Sequence, residues 1–228
     1  MLSLNIQLTP SVAEMEERYE AEYRLREDLF NRYDGSVPNK HGQGLELIPI
    51  MTIDHIRTLK DDKGTMTMSV TFVFTWMDER MMWNATQYTG IRRLSFNRFE
   101  YGLLWVPVIN LADIPSHGKP QDVFGNHDLD ITINDNGIVR ATIKALVTVP
   151  CYFTFGDWPN DYQNCSLTLM TPYFADEFRF AKWGAAESAR FLQERATDVE
   201  DFELIGVEST SYFLYLGMDV VYDFKELV

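Results

Sequence analysis

The sequence holds only two cysteines, and its 20 lysines and arginines are outnumbered by 34 aspartates and glutamates. The resulting formal charge of −14 argues against a nucleic-acid partner, because a polyanion is repelled. No apolar run reaches the roughly 18 residues needed to span a bilayer. No basic-then-apolar leader opens the chain. The four histidines, His41, His55, His117 and His127, show no metal-ligand spacing, and the acidic stretch His127-Asp128-x-Asp130 reads as a turn. A nucleophile elbow, a glycine-rich phosphate loop and a zinc motif are all missing. These absences predict a protein that is not an enzyme and carries no cofactor or metal. Internal repeats, low-complexity tracts and linkers are also missing, so residues 1–228 are expected to form one domain.

What is present points to strands. Nearly half the residues are hydrophobic, enough for a sizeable core. Residues Thr65–Trp76 alternate, with Met66, Met68, Val70, Phe72, Phe74 and Trp76 on one side. Leu129–Ile133 alternates as well, and Asn136-Gly137 then predicts a hairpin whose return strand is Ile138–Val149. Leu45–Ile56, Phe202–Val207 and Tyr212–Phe224 read as further strands. Ala185–Arg195 is open between short helix and loop. A single longer helix is predicted over about 11–33, with Ser11 as N-cap and Glu14 completing a capping box. Val12, Met15, Tyr19, Tyr23 and Phe30 are expected to form its apolar face. The fold class is therefore all-β, a sandwich preceded by an α-helix.

Cys151 and Cys165 enclose Gly156, Asp157, Pro159, Asn160 and Asp161, turn formers that favour a disulfide loop over two buried thiols. Closing it contributes about 3 kcal/mol in the chain-entropy account. A disulfide and the sequons Asn84-Ala85-Thr86 and Asn164-Cys165-Ser166 suit a secretory route. The chain reads as a mature or excised extracellular part.

The cysteine loop also contains Trp158-Pro159-Asn160-Asp161. An aromatic-Pro-x-Asp at this offset before the second cysteine resembles the signature loop of the pentameric Cys-loop receptors, which include nicotinic acetylcholine, GABA and glycine receptors. Trp76-Met77-Asp78 followed by Trp83-Asn84 is similar to that family's Trp-x-Asp…Trp-Asn segment. Leu104-Trp105-Val106-Pro107 is similar to its Trp-x-Pro-Asp segment, with Val108 in place of the Asp. Gln163-Asn164-Cys165-Ser166 matches the end of the nicotinic loop. Phe202-Glu203-Leu204, Asp219-Val220 and Phe224-Lys225 resemble the last strands of the soluble acetylcholine-binding proteins.

The resemblance implies an immunoglobulin-like sandwich of about ten strands and a homopentamer with a small-molecule site at each subunit interface. It also implies a membrane domain beyond this sequence and a place on the outer face of the plasma membrane. By offset, the principal side falls on Ala112, Pro172, Tyr173, Tyr212 and Tyr215. The complementary side falls on Thr71, Thr132, Arg140 and Thr142. Most rings that cage a quaternary ammonium in nicotinic members are thus replaced, which argues against acetylcholine. Arg140 suits an anionic or carbonyl-bearing ligand if it faces the cleft, and otherwise reads as a solvated surface arginine. Trp158, Pro159 and Asp161 are implied to couple binding to the pore. Two other readings are a secreted ligand buffer and, from another class, an adhesion-type sandwich.

Overall fold

The computed structural model describes residues 11–39, 44–60, 62–96, 101–112, 121–125, 129–156, 163–174, 176–181, 206–214 and 219–227, the last two segments by their backbone alone. Helix α1 spans Val12–Phe30. The strands are β1 Leu45–Lys60, β2 Thr65–Met82, β3 Arg93–Phe96, β4 Asn110–Leu111, β5 Gln121–Asp122, β6 Leu129–Asn134, β7 Asn136–Phe153, β8 Gln163–Thr171, β9 Phe178–Phe180, β10 Gly206–Leu214 and β11 Asp219–Leu227. The all-β sandwich with one N-terminal helix is as the sequence predicts. None of the helices among the described residues is long and apolar enough to cross a membrane.

One layer runs β1-β2-β7-β6-β3, and the other runs β10-β11-β8-β4-β5. Strand β7 belongs to both: its body pairs with β2 and β6, and its last residues, Cys151–Phe153, pair with β8. The layers meet over the alternating face of β2. Met66, Met68, Val70, Phe72, Phe74 and Trp76 are all buried there. Phe74 lies 5.3 Å from Phe124 of the opposite layer, and Trp76 meets Trp105 edge to face at 6.4 Å. Such ring pairs add about 0.5–1.5 kcal/mol beyond area burial.

The β6–β7 hairpin forms where Asn136-Gly137 stands. Gly137 has φ +80°, and a Cβ there would lie 2.7 Å from the Met82 side chain and 2.8 Å from the Asp78 carbonyl oxygen. No other residue fits that turn without a shift.

The capping box of α1 is present: the Ser11 hydroxyl accepts from the Glu14 N–H, and the Glu14 carboxylate accepts from the Ser11 N–H. Of the expected apolar face of the helix, Phe30 packs on the core, edge to face with Phe96 at 5.9 Å, but the rest does not. Val12, Met15, Tyr19 and Tyr23 are 68%, 51%, 72% and 61% exposed, whereas Ala21, Leu25 and Leu29 are buried. At 100° per residue the two stripes lie more than about 100° apart around the helix. Only the C-terminal half of α1 rests on the sandwich, so the pattern of its first turns had no core to match. The helix also ends at Phe30 rather than Tyr33, with Asn31 as C-cap.

The last strands differ from expectation too. Phe202–Ile205 and Ala185–Arg195 lie outside the described residues. The expected strand Tyr212–Phe224 is divided between β10 and β11, which pair as a hairpin from Gly206↔Leu227 to Leu214↔Asp219. The apolar and aromatic residues on both sides of Gly217 concealed the reversal.

Candidate functional site

Cys151 and Cys165 face each other across the β7–β8 pair and form a disulfide. Trp158, Pro159 and Asp161, the expected coupling residues, lie outside the described residues. The flanks of the loop carry exposed aromatics: Tyr152 and Phe155 are 76% and 68% exposed, and Phe155 stacks on Phe153 at 6.0 Å.

The four complementary-side residues come together on one sheet surface. Ile131, Ile133, Ala141, Ile143 and Phe72 point into the core. Their strand neighbours Thr132, Arg140, Thr142 and Thr71 therefore face out. Arg140 stands directly opposite Thr132 on β6 and Thr75 on β2. Thr142 stands between Asp130 and Val73, and Thr71 stands between Thr52 and Lys144. Directly opposed Cβ atoms lie about 5 Å apart, and diagonal ones about 7–8 Å. Arg140 is exposed and has no ion pair among the described residues. Thr71 donates its hydroxyl to the Asp54 carboxylate at 2.6 Å, beside the irregular step between Ile53 and His55. Lys144, Asp130 and Thr75 share this surface and were missed in the sequence. Strand alternation was the signal that pointed to them.

Of the principal-side residues, Ala112, Pro172, Tyr173 and Tyr212 lie on or beside β8 and the strands that pair with it. The Ala112 N–H donates to the Thr168 carbonyl at 2.9 Å, fastening the end of β4 to β8. The Thr171 hydroxyl donates to the Val108 carbonyl at 2.9 Å. Pro172 is exposed at the end of β8. Tyr173 is half-buried: its ring stacks on Phe178 at 5.4 Å, and its hydroxyl accepts from the Val108 N–H at 3.1 Å. Tyr173 thus braces the segment between Trp105 and Ala112. The backbone of Tyr212 pairs with Val221, which pairs with Met170, which pairs with Asn110. Tyr215 lies outside the described residues.

A polar cluster supports the start of the same segment. Asp78 is 1% exposed and accepts from Arg80 Nε at 2.9 Å, Arg80 Nη2 at 2.7 Å and the Tyr33 hydroxyl at 3.1 Å. The Arg80 guanidinium also donates to the Asp34 and Val37 carbonyls and lies 4.5 Å over the Tyr33 ring. The Tyr33 oxygen accepts from the Trp105 N–H at 2.9 Å. Burial pushes the Tyr33 phenol up to about 12, and the Trp105 N–H pulls the other way. The bond to Asp78 holds Arg80 more firmly protonated.

Trp105 and Trp76 are buried in the core. Trp83 is half-buried with its indole N–H on the Ile91 carbonyl. Asn84 and Asn164 are exposed, and the Asn84 carbonyl oxygen accepts from the Thr86 N–H and hydroxyl.

Residues 22–220 match the profile of the neurotransmitter-gated ion-channel ligand binding domain. The chain belongs to that family. This receptor domain is 28% identical over 186 residues to the acetylcholine receptor subunit epsilon of Xenopus laevis, covering 78% of this chain and 34% of that one. It is 29% identical over 163 residues to the human epsilon subunit, covering 70% and 31%. The rat delta subunit is 28% identical over 132 residues, covering 58% and 24%. The receptor domain spans about a third of the length of the first two of these curated relatives.

Proposed function

We infer that the chain is the extracellular ligand-binding domain of a ligand-gated channel subunit, and that residues 1–228 work as one domain. Five copies ring a central vestibule, and each interface holds a small-molecule agonist. It acts by binding, not by catalysis. One subunit offers Ala112, Pro172, Tyr173, Tyr212 and Tyr215, and its neighbour offers Thr71, Thr132, Arg140 and Thr142. The observation that carries this reading is the gathering of the last four on one outward sheet face, in a chain of this family.

That face holds threonines and an arginine with no ion pair among the described residues, where an ammonium cage needs rings. Each missing ring forfeits about 0.5–2 kcal/mol for a cation, so the agonist is a molecule other than acetylcholine. Ligand closes the β10–β11 hairpin over the site, and the Cys151–Cys165 loop passes the shift toward the membrane through Trp158, Pro159 and Asp161. Unequal affinity for the two states drives the change. Asn84 and Asn164 carry glycans on the extracellular side.

The test is solution mass by light scattering of the deglycosylated chain over a range of concentrations. A mass near five times 26.5 kDa supports the reading. A monomer at every concentration removes the interfacial site. For any ligand found, Tyr215→Ala weakens binding, and unchanged affinity takes Tyr215 out of the site.

A further inference from the structure

A cleft of about 520 Å³ opens between the C-terminal half of α1, the end of β2 and the short 3-10 turn Ala85–Gln87. It lies at the end of β2 away from the disulfide, since Thr65 at the other end pairs with Pro150. Its volume is in the range of small-molecule sites. Leu25, Leu29, Met82 and Trp83 supply apolar walls.

Most polar groups around it are already engaged. Arg80 places all five guanidinium N–H groups on Asp78, Asp34, Val37 and Tyr33. The Trp83 indole N–H is held by Ile91. The Tyr88 hydroxyl donates to the Asp28 carboxylate at 2.8 Å, tying the turn to the helix. What is left over is chiefly donor capacity. Arg32 and Gln87 line the cleft, are exposed, and have no side-chain partner among the described residues. Apolar walls beside a free guanidinium and spare amide donors fit an acceptor with a hydrophobic body.

We propose that this cleft is a small-molecule site of its own, taking an aromatic or aliphatic monocarboxylate with its carboxylate on Arg32 and Gln87 and its body against Leu25, Leu29 and Trp83. The Asp28 carboxylate opposes an anion here, but it already accepts the Tyr88 hydroxyl. The repulsion of the wider acidic surface is screened beyond about 10 Å. The cleft floor includes Tyr33, whose hydroxyl holds the Trp105 amide. An occupant therefore touches the support of the Trp105–Ala112 segment, a modulatory role that rests on the function proposed above.

The test uses the full chain carrying Thr86→Ala, which removes the Asn84 sequon, so that binding is read with no sugar beside the cleft and with residue 84 still an amide. The probes are 4-phenylbutyrate, its neutral amide 4-phenylbutanamide, and the cation 4-phenylbutylamine, titrated by saturation-transfer NMR and tryptophan fluorescence. The acid binds about tenfold more tightly than the amide. Arg32→Gln brings acid and amide within about twofold without moving the thermal midpoint, because exposed Arg32 has no side-chain hydrogen bond or ion pair among the described residues. Gln87→Trp, which fills the mouth, weakens the acid by about tenfold or more. No detectable binding of the acid, equal affinity for acid and amide, tighter binding of the amine, or an unchanged acid affinity in Gln87→Trp overturns the proposal. Light scattering on the same samples separates the two readings. A monomer with an Arg32-dependent acid preference leaves the cleft standing and removes the pentamer, and a pentamer with no acid preference does the reverse.

Discussion

Replacing Asp78 with Asn is the most incisive test of how the site is supported. The exchange keeps shape and removes one charge. Asp78 is 1% exposed and accepts four bonds: two from Arg80 at Nε and backbone N, one from Arg80 Nη2 and one from the Tyr33 hydroxyl. An amide in its place presents N–H groups to one of these two donor pairs, so at least two of the four bonds are lost. The guanidinium also loses its counter-charge. Breaking a buried pair by removing one partner costs about 3–5 kcal/mol. Arg80 keeps 29% of its side chain exposed and recovers part of that through water, so the lower end, about 3 kcal/mol, applies. For a domain of this size that lowers the thermal midpoint by about 6–12 °C. Urea unfolding followed by tryptophan fluorescence reads the loss, with Arg57→Gln on an exposed stretch of β1 as control. A loss under about 1 kcal/mol refutes the reasoning, since it means that the cluster does not hold Tyr33 and Trp105 in place.

Other expectations follow from the same geometry. Cys151→Ser with Cys165→Ser removes the cross-link between β7 and β8. It lowers stability by about 3 kcal/mol and sharply reduces secretion; undiminished secretion of folded chain refutes it. Tyr33 titrates at about 12 when folded, against about 10 in the unfolded chain, so the folded state keeps its proton longer. Its contribution is complete below about pH 10 and is lost as pH rises through about 12. Partial exposure reduces the drop to about 1–2 kcal/mol. Tyr33→Phe flattens that part of the profile, and an identical alkaline decline in both proteins dissociates it from Tyr33.

The sequence made some of this legible for reasons tied to local geometry. Alternation over Thr65–Trp76 reports a strand with one wet and one dry face, and burial follows it except at Thr65 and Val73, which are also covered. The capping box and the Asn136-Gly137 turn are set by neighbours within a few positions, so they too were readable. The face of α1 was not, because which stripe packs depends on a surface made by distant strands. The Asp78–Arg80–Tyr33 cluster was also hidden: Tyr33 and Asp78 are far apart in the chain and meet only when α1 docks against β2. The candidate ligand residues stand between these cases. Alternation gave the outward direction of Thr132, Arg140 and Thr142. Only pairing of β6, β7 and β2 shows that they form one surface with Thr71. Tyr173 was placed on the principal side by its offset from Cys165; that its hydroxyl accepts from Val108 and its ring stacks on Phe178 shows only in the folded chain.

The pairing of β1 with β9 has a consequence for how the chain reaches this form. Leu45–Leu47 lie parallel to Phe178–Phe180, while every other described strand pair is antiparallel. A parallel pair demands a long crossover, and here most of the sandwich is that crossover. The closing entropy must be met before the contact rewards it, so such pairings form late and slow the approach to the native state. During synthesis the start of β1 leaves the ribosome long before β9 exists. Until then its apolar edge is open to any other extended segment nearby. The first strand to be made is thus among the last to be sealed.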